Sequence, residues 1–247
     1  MSVRRWFASP HSGLREIGGL ALLYGFYEVV RGFGSEDFAT AFAHTNAIVQ
    51  LEIAMGVFVE QSIQAGVAAI PAAPALFGLA YVVLHFAGTA GFMVWVHRRR
   101  RHAFPIVRTT LITSTALALI GYVLYPAAPP RLTNDLGFAD TVSSATGLNL
   151  SSDLLGSLYN PIAAVPSLHF GYALIVGVAL ARLARTRAMR WVGASYPGAM
   201  LLIIVATGNH FFFDAFAGGI VVVAGWWMAR ALVAPRRDRT RAVAAIA

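Results

Sequence analysis

Apolar runs close to the length of a bilayer crossing recur along this chain, separated by arginine-bearing hairpins or by a proline-rich polar segment. A helix needs about 20 apolar residues to cross a hydrocarbon core of about 30 Å, and a backbone in that core must satisfy its own hydrogen bonds. Of the 247 residues, 57% are hydrophobic and only 12% charged, whereas soluble domains carry about a quarter charged residues. The expected fold is therefore all-α: a polytopic membrane helical bundle with six transmembrane helices plus an amphipathic surface helix.

The expected spans are Ile17 to Val30, Ala75 to Val96, Ala103 to Leu124, Ser167 to Leu183, Trp191 to Asn209 and Phe211 to Val233. A cleaved signal peptide competes for the first of these, with Ala41-Phe42-Ala43 as a small-residue cleavage site. Glu28 and Arg31 intervene, and that triplet lies too far downstream. Those two charges, three residues apart on one helical face, read as a structural pair or as a source of Arg31 for an anionic ligand. From Glu36 to Ile70, Leu51, Met55, Phe58, Val59 and Ile63 recur at helical spacing with Glu52, Glu60, Gln61 and Gln64 between them. That mixture predicts a helix on the membrane surface, ended by Pro71 and Pro74. His85 reads as a packed histidine within its span. The hydroxyls of Thr109, Thr110, Thr113, Ser114 and Thr115 are suited to bonds across helices or back to their own turns. Residues 1–235 form one expected domain with its chemistry between 125 and 219, and residues 236–247 a basic cytoplasmic tail without fixed structure.

All 19 basic residues are arginines, and their placement says more than the net charge of +8. Setting both termini and the hairpins at 97–102 and 184–190 on one side puts 17 of the 19 there, leaving Arg31 and Arg131 opposite. By the positive-inside rule that side is cytoplasmic. Juxtamembrane arginines give no reason to expect nucleic acid as a partner. The absence of cysteine rules out disulfides, thiolate metal sites and cysteine nucleophiles.

The polar breaks then fall on the outer face. Tyr125 to Asn160 is the one long polar segment and opens Tyr125-Pro126-Ala127-Ala128-Pro129-Pro130-Arg131; Pro166-Ser167-Leu168-His169 starts the fourth span; Gly208-Asn209-His210 precedes Asp214 at the sixth. His210 and Asp214, four apart, share one helix face. An imidazole held by a carboxylate is a competent nucleophile towards phosphorus. His169 can protonate a leaving oxygen and later deprotonate an attacking hydroxyl. Ser167 and the amides at the start of its helix favour an anion, and Arg131 offers charge-assisted bonds to phosphoryl oxygens. Two histidines and a carboxylate also compose a metal triad, but no third strong ligand is evident and Arg131 would repel a cation. No metal and no cofactor are expected.

In this order, PPR, PSLH and GNHxxxD resemble the type 2 phosphatidic acid phosphatase superfamily, and specifically its branch related to inositol phosphorylceramide synthase and aureobasidin-resistance proteins. The resemblance spans roughly residues 125 to 219. It implies His169 as the acid/base histidine, His210 and Asp214 as the closing pair, a phosphohistidine intermediate without metal, and a lipid phosphate or phospholipid substrate in the bilayer. The chain departs from the broad family at Leu124, where a lysine stands, at Ile203-Ile204 in place of Ser-Arg, and at Leu168 in place of glycine. Arg131, Asn209, Tyr125 and Arg31 are the candidates to replace the missing phosphate-cradling bases. Three functional readings follow: a lipid phosphatase at the outer leaflet, a transferase passing a phospho-head group to a lipid alcohol or sugar, and a non-catalytic lipid transporter or scaffold. Oligomeric state is not legible.

Overall fold

The computed structural model describes residues 37–146 and 161–234, together with Gly13, Glu16, Gly18, Gly19, Ala21 and Gly25. The expected first span with Glu28 and Arg31, residues 147–160 of the polar segment and the basic tail lie outside these residues, apart from the isolated positions named. The described chain is helical, and its one extended contact is an isolated bridge between Ala127 and Ala163.

In chain order, α1 covers Phe38–Ala54, α2 Glu60–Ala68, α3 Ala73–Val83 and α4 Thr89–Arg99, with a π-helical turn Leu84–Gly88 making α3 and α4 continuous. Next come α5, Phe104–Leu124, single 3-10 turns at Pro130–Leu132 and Asn134–Leu136, and the short α6, Thr141–Thr146. The bundle closes with α7, Leu168–Leu183, α8, Arg187–Ala206, and α9, Phe212–Val233.

Four helices are long and apolar enough to cross a bilayer: Ala73–Arg99, α5, α8 and α9. The expected fourth span forms a helix within its expected bounds but is too short to count among them. Ser167 caps α7 and the chain turns extended at Ala184, leaving 16 residues, about 24 Å at the helical rise of about 1.5 Å per residue. Among the described residues the expected six spans therefore become four long apolar helices and one short one. α7 packs along α8 and against α9, and α9 along α5. The threonines of α5 make both kinds of bond expected of them. Thr110 bonds back to the Ile106 carbonyl at 2.8 Å, while the Thr113 hydroxyl lies 2.8 Å from the Gly225 carbonyl of α9 and Thr115 bonds the Tyr172 hydroxyl of α7 at 2.7 Å.

The Arg100 side chain donates to the Leu183 carbonyl at 2.9 Å. The two arginine-bearing hairpins thus share one end of the bundle, because α4 and α7 both finish there and α5 begins there. Tyr125, Ser167 and His210 follow from the opposite helix ends. Arg108, buried on α5, pairs with Glu16 at 2.6 Å.

The stretch expected as a surface helix takes a different form. It is two helices, broken where Gly56 adopts φ +69. Its polarity is also reversed: Glu52, Glu60 and Gln64 are buried, whereas Leu51, Ile53, Met55 and Val59 are exposed. A surface helix turns its polar face to water, but here the carboxylates find backbone amides in the protein interior and the apolar side chains face outward.

Candidate active site

Two helix starts meet at the end of the bundle opposite the arginine hairpins. The Ser167 amide donates to the Asp214 backbone carbonyl at 2.9 Å, joining the start of α7 directly to the first turn of α9. Gly218 permits that approach, since a Cβ there would stand 2.4 Å from the Ser167 carbonyl oxygen. Ser167 is the N-cap of α7, its hydroxyl accepting the Phe170 amide at 3.3 Å.

On α9, His210 Nδ1 lies 3.1 Å from Asp214 Oδ2, and the same oxygen accepts the Phe211 amide at 3.0 Å. A carboxylate can only accept, so Nδ1 carries the proton of this bond, and in the neutral imidazole Nε2 then holds the lone pair. Both residues are buried, and Asp214 Oδ1 has no hydrogen-bond partner among the described residues. The His169 ring lies 5.7 Å from that of His210, centroid to centroid. Its Nε2 is shielded and without a hydrogen-bond partner among the described residues. The two histidines expected from PSLH and GNHxxxD thus lie side by side, their ring planes tilted by 50°.

Arg131 arrives on the 3-10 turn after α5. Its amide donates to the Gly208 carbonyl at 2.8 Å, its Nε to the Asn209 side-chain oxygen at 2.9 Å, and its Nη1 lies 3.7 Å from Asp140 Oδ2. Asn209 is in turn held by Thr207, whose hydroxyl accepts its amide at 3.0 Å. Gly208 is required at this junction: its φ is +68, and a Cβ would stand 2.8 Å from the Gln64 amide nitrogen and 3.0 Å from the Ala139 carbonyl. Tyr125, at the C-terminus of α5, stacks on His44 with centroids 3.9 Å apart. Burial and the charge of Asp214 hold its phenol above the ordinary value. All seven residues singled out from the sequence, His169, His210, Asp214, Arg131, Ser167, Asn209 and Tyr125, lie at this end.

Four further side chains complete the surroundings. Glu60 accepts the Phe212 amide at 3.1 Å and Glu52 the Phe213 amide at 2.7 Å, so three carboxylates occupy the amides that open α9. Burial, followed by the adjacent Glu60 carboxylate that favours the protonated acid, pushes Glu52 up to about 8. One signal for this pair was present in the sequence: no basic residue stands between Arg31 and Arg98 to neutralise two glutamates in an apolar stretch. The other two are Tyr81 and His85, stacked on His169 at 4.1 and 3.8 Å. Two near-parallel rings this close must lie on opposite faces, so His169 is sandwiched. His85 is packed, as expected, but its neighbour is the site itself. The π turn that carries it is a type of irregularity frequent at functional sites.

The arrangement provides a lone-pair nitrogen backed by a carboxylate, a second imidazole beside it, and an oriented guanidinium nearby. Such a set suits attack on an anionic electrophile with proton delivery to a leaving group.

A family model described as the PAP2 superfamily matches residues 46–228. Neither a curated protein nor a solved structure matches the chain. With most of its length covered by that match, the chain belongs to the PAP2 superfamily, whose members are generally phosphatases or phosphotransferases.

Proposed function

As the premise for this PAP2 superfamily member, we propose a metal-independent lipid phosphatase that hydrolyses a lipid phosphate at the outer leaflet through a phosphohistidine. The observation that carries the reading is the Asp214 to His210 bond at 3.1 Å, with the His169 ring 5.7 Å away. His210 Nε2 attacks phosphorus and the bond to the lipid alkoxide breaks. Asp214 stabilises the imidazolium that forms, and His169 protonates the departing oxygen. Water then attacks the phosphohistidine, giving up its proton to His169, and inorganic phosphate leaves. Arg131, oriented by Asn209, draws in the phosphoryl oxygens, while Ser167 and Tyr125 border the group. Phosphoryl transfer depends mostly on positioning and charge, so a set of this size is sufficient.

The outer-leaflet assignment rests on the shared end of the arginine hairpins and the positive-inside rule. Lipid-facing helices and superfamily membership support a lipid substrate drawn from the bilayer. A second reading, favoured by the motif variants PPR and GNH, is a transferase of the synthase-like branch, in which a lipid or sugar hydroxyl replaces water at the second step. The two share the phosphoenzyme and differ only in acceptor.

The deciding experiment incubates purified protein with phosphatidic acid and isoprenyl phosphates in the presence of chelator. Phosphate release and an acid-labile phosphoprotein are expected, and His210→Ala loses both, by on the order of 10⁴-fold or more for turnover. Undiminished turnover in His210→Ala removes the mechanism. A non-catalytic lipid transporter or scaffold predicts no turnover and no phosphoprotein at all.

A further inference from the structure

The opening turn of α9 carries the proposed nucleophile, yet much of what fixes it comes from far away in sequence. Glu60 and Glu52 accept the Phe212 and Phe213 amides from α2 and α1. Both carboxyl groups are buried, at 0% and 2% exposure, and each keeps its second oxygen without an ordinary hydrogen-bond partner among the described residues. Two carboxylates cannot bond each other, because both only accept, and two buried carboxyl groups set on adjacent α9 amides repel each other unless a proton lies between them. A helix N-terminus favours one negative charge, but two full charges beside Asp214 would repel one another. The titratable groups around the pair are Asp214 and His210 on α9 and, beyond Asp214, Tyr125 at the end of α5.

We propose that Glu52 and Glu60 are positioning residues that hold the first turn of α9 beneath His210 and share one proton, and that losing this proton weakens binding of the anionic lipid phosphate. The proposal rests on the phosphatase reading. Deprotonation releases one proton to water and leaves a second negative charge behind Asp214, facing a substrate that is itself negative. Occupied, the shared proton keeps the site's background charge low enough for Arg131 to dominate.

Glutamine at either position imitates the protonated acid. Its carbonyl accepts the α9 amide and its NH₂ donates to the remaining carboxylate, so the pair holds one charge at every pH. Alanine removes the acceptor altogether.

The experiment uses full-length protein in nanodiscs, with KM and kcat for phosphatidic acid measured on both sides of pH 8. Wild-type KM is expected to rise roughly tenfold through that region, as one added charge near the phosphate implies. Glu52→Gln and Glu60→Gln flatten the rise. Glu52→Ala lowers kcat throughout, and Gln restores most of what Ala removes. In parallel, the infrared carbonyl band of a protonated carboxylic acid is followed against pH; it should fade near pH 8 in wild type and lose its titration in both Gln variants. An alkaline KM rise that survives unchanged in both Gln variants overturns the proposal, as does a band that they leave untouched. If wild type turns over no lipid phosphate, the phosphatase reading fails while the infrared titration still decides whether the proton is shared.

Discussion

The two helices that meet at the site open in opposite ways. α7 starts with a neutral cap, the Ser167 hydroxyl accepting one amide, whereas α9 starts on Asp214, Glu60 and Glu52. The positive end of the α9 dipole is thereby occupied by residues of the protein, and that of α7 is not matched by any carboxylate of its own first turn. The lesson is a division of labour. In the proposed mechanism the acidic start would stabilise positive charge on His210 as it becomes phosphorylated, and the neutral start would leave the α7 side hospitable to an incoming phosphate. Buried charge is placed where the proposed intermediate is cationic.

That contrast can be broken in four ways. The largest effect is expected from His169→Ala on α7, which should slow turnover about 10²- to 10⁴-fold by removing the proton carrier; release of phosphate at the wild-type rate in a stopped-time assay would dissociate α7 from the chemistry. Next, Gly208→Ala forces a side chain into φ +68 against Gln64 and Ala139. It should cost about 1 to 3 kcal/mol, read as a lower unfolding midpoint in detergent with Arg131 displaced, and an unchanged midpoint would show that the junction relaxes freely.

A smaller effect is expected from pH. Glu52 is raised from 4.5 to about 8 on folding, so the folded protein holds a proton that the unfolded chain has released between those values. Stability should therefore fall as pH rises through that window and level off above it. Glu52→Gln should flatten the slope in a thermal-shift series, and an identical slope in both proteins would contradict the raised acid. The smallest effect is that of Ser167→Ala, about 1 kcal/mol for a lost cap. If KM also climbs severalfold, the hydroxyl touches phosphate as well as capping the helix.

How much of this was legible beforehand depended on sequence separation. His210 and Asp214 lie one helical turn apart, so their pairing is a local property that spacing alone conveys. The bonds of α5 threonines back to their own turns, such as Thr110 to Ile106, were legible for the same reason. The carboxylates of α1 and α2 were visible but misassigned, because a helix with mixed faces was read as if water lay outside it. Their amide partners stand more than a hundred residues away, and no local pattern encodes such a meeting. His85 was similarly opaque: one histidine in an apolar run does not announce that a second ring will lie against it.

The π turn at Leu84–Gly88 gives one of these hidden contacts a further meaning. Its widened loop bonds i to i+5 and so takes up one residue beyond regular α geometry, and the Leu84 carbonyl within it receives the Tyr196 hydroxyl of α8 at 3.1 Å. Such a turn acts as a phase shifter for the helix. Winding the same residues as regular α-helix would rotate everything on one side by about 100° relative to the other. The rings of Tyr81 and His85 would then no longer converge on His169. The extra residue thus sets the phase in which Tyr81 and His85 reach His169, which makes the count of residues in this turn as consequential as their identities.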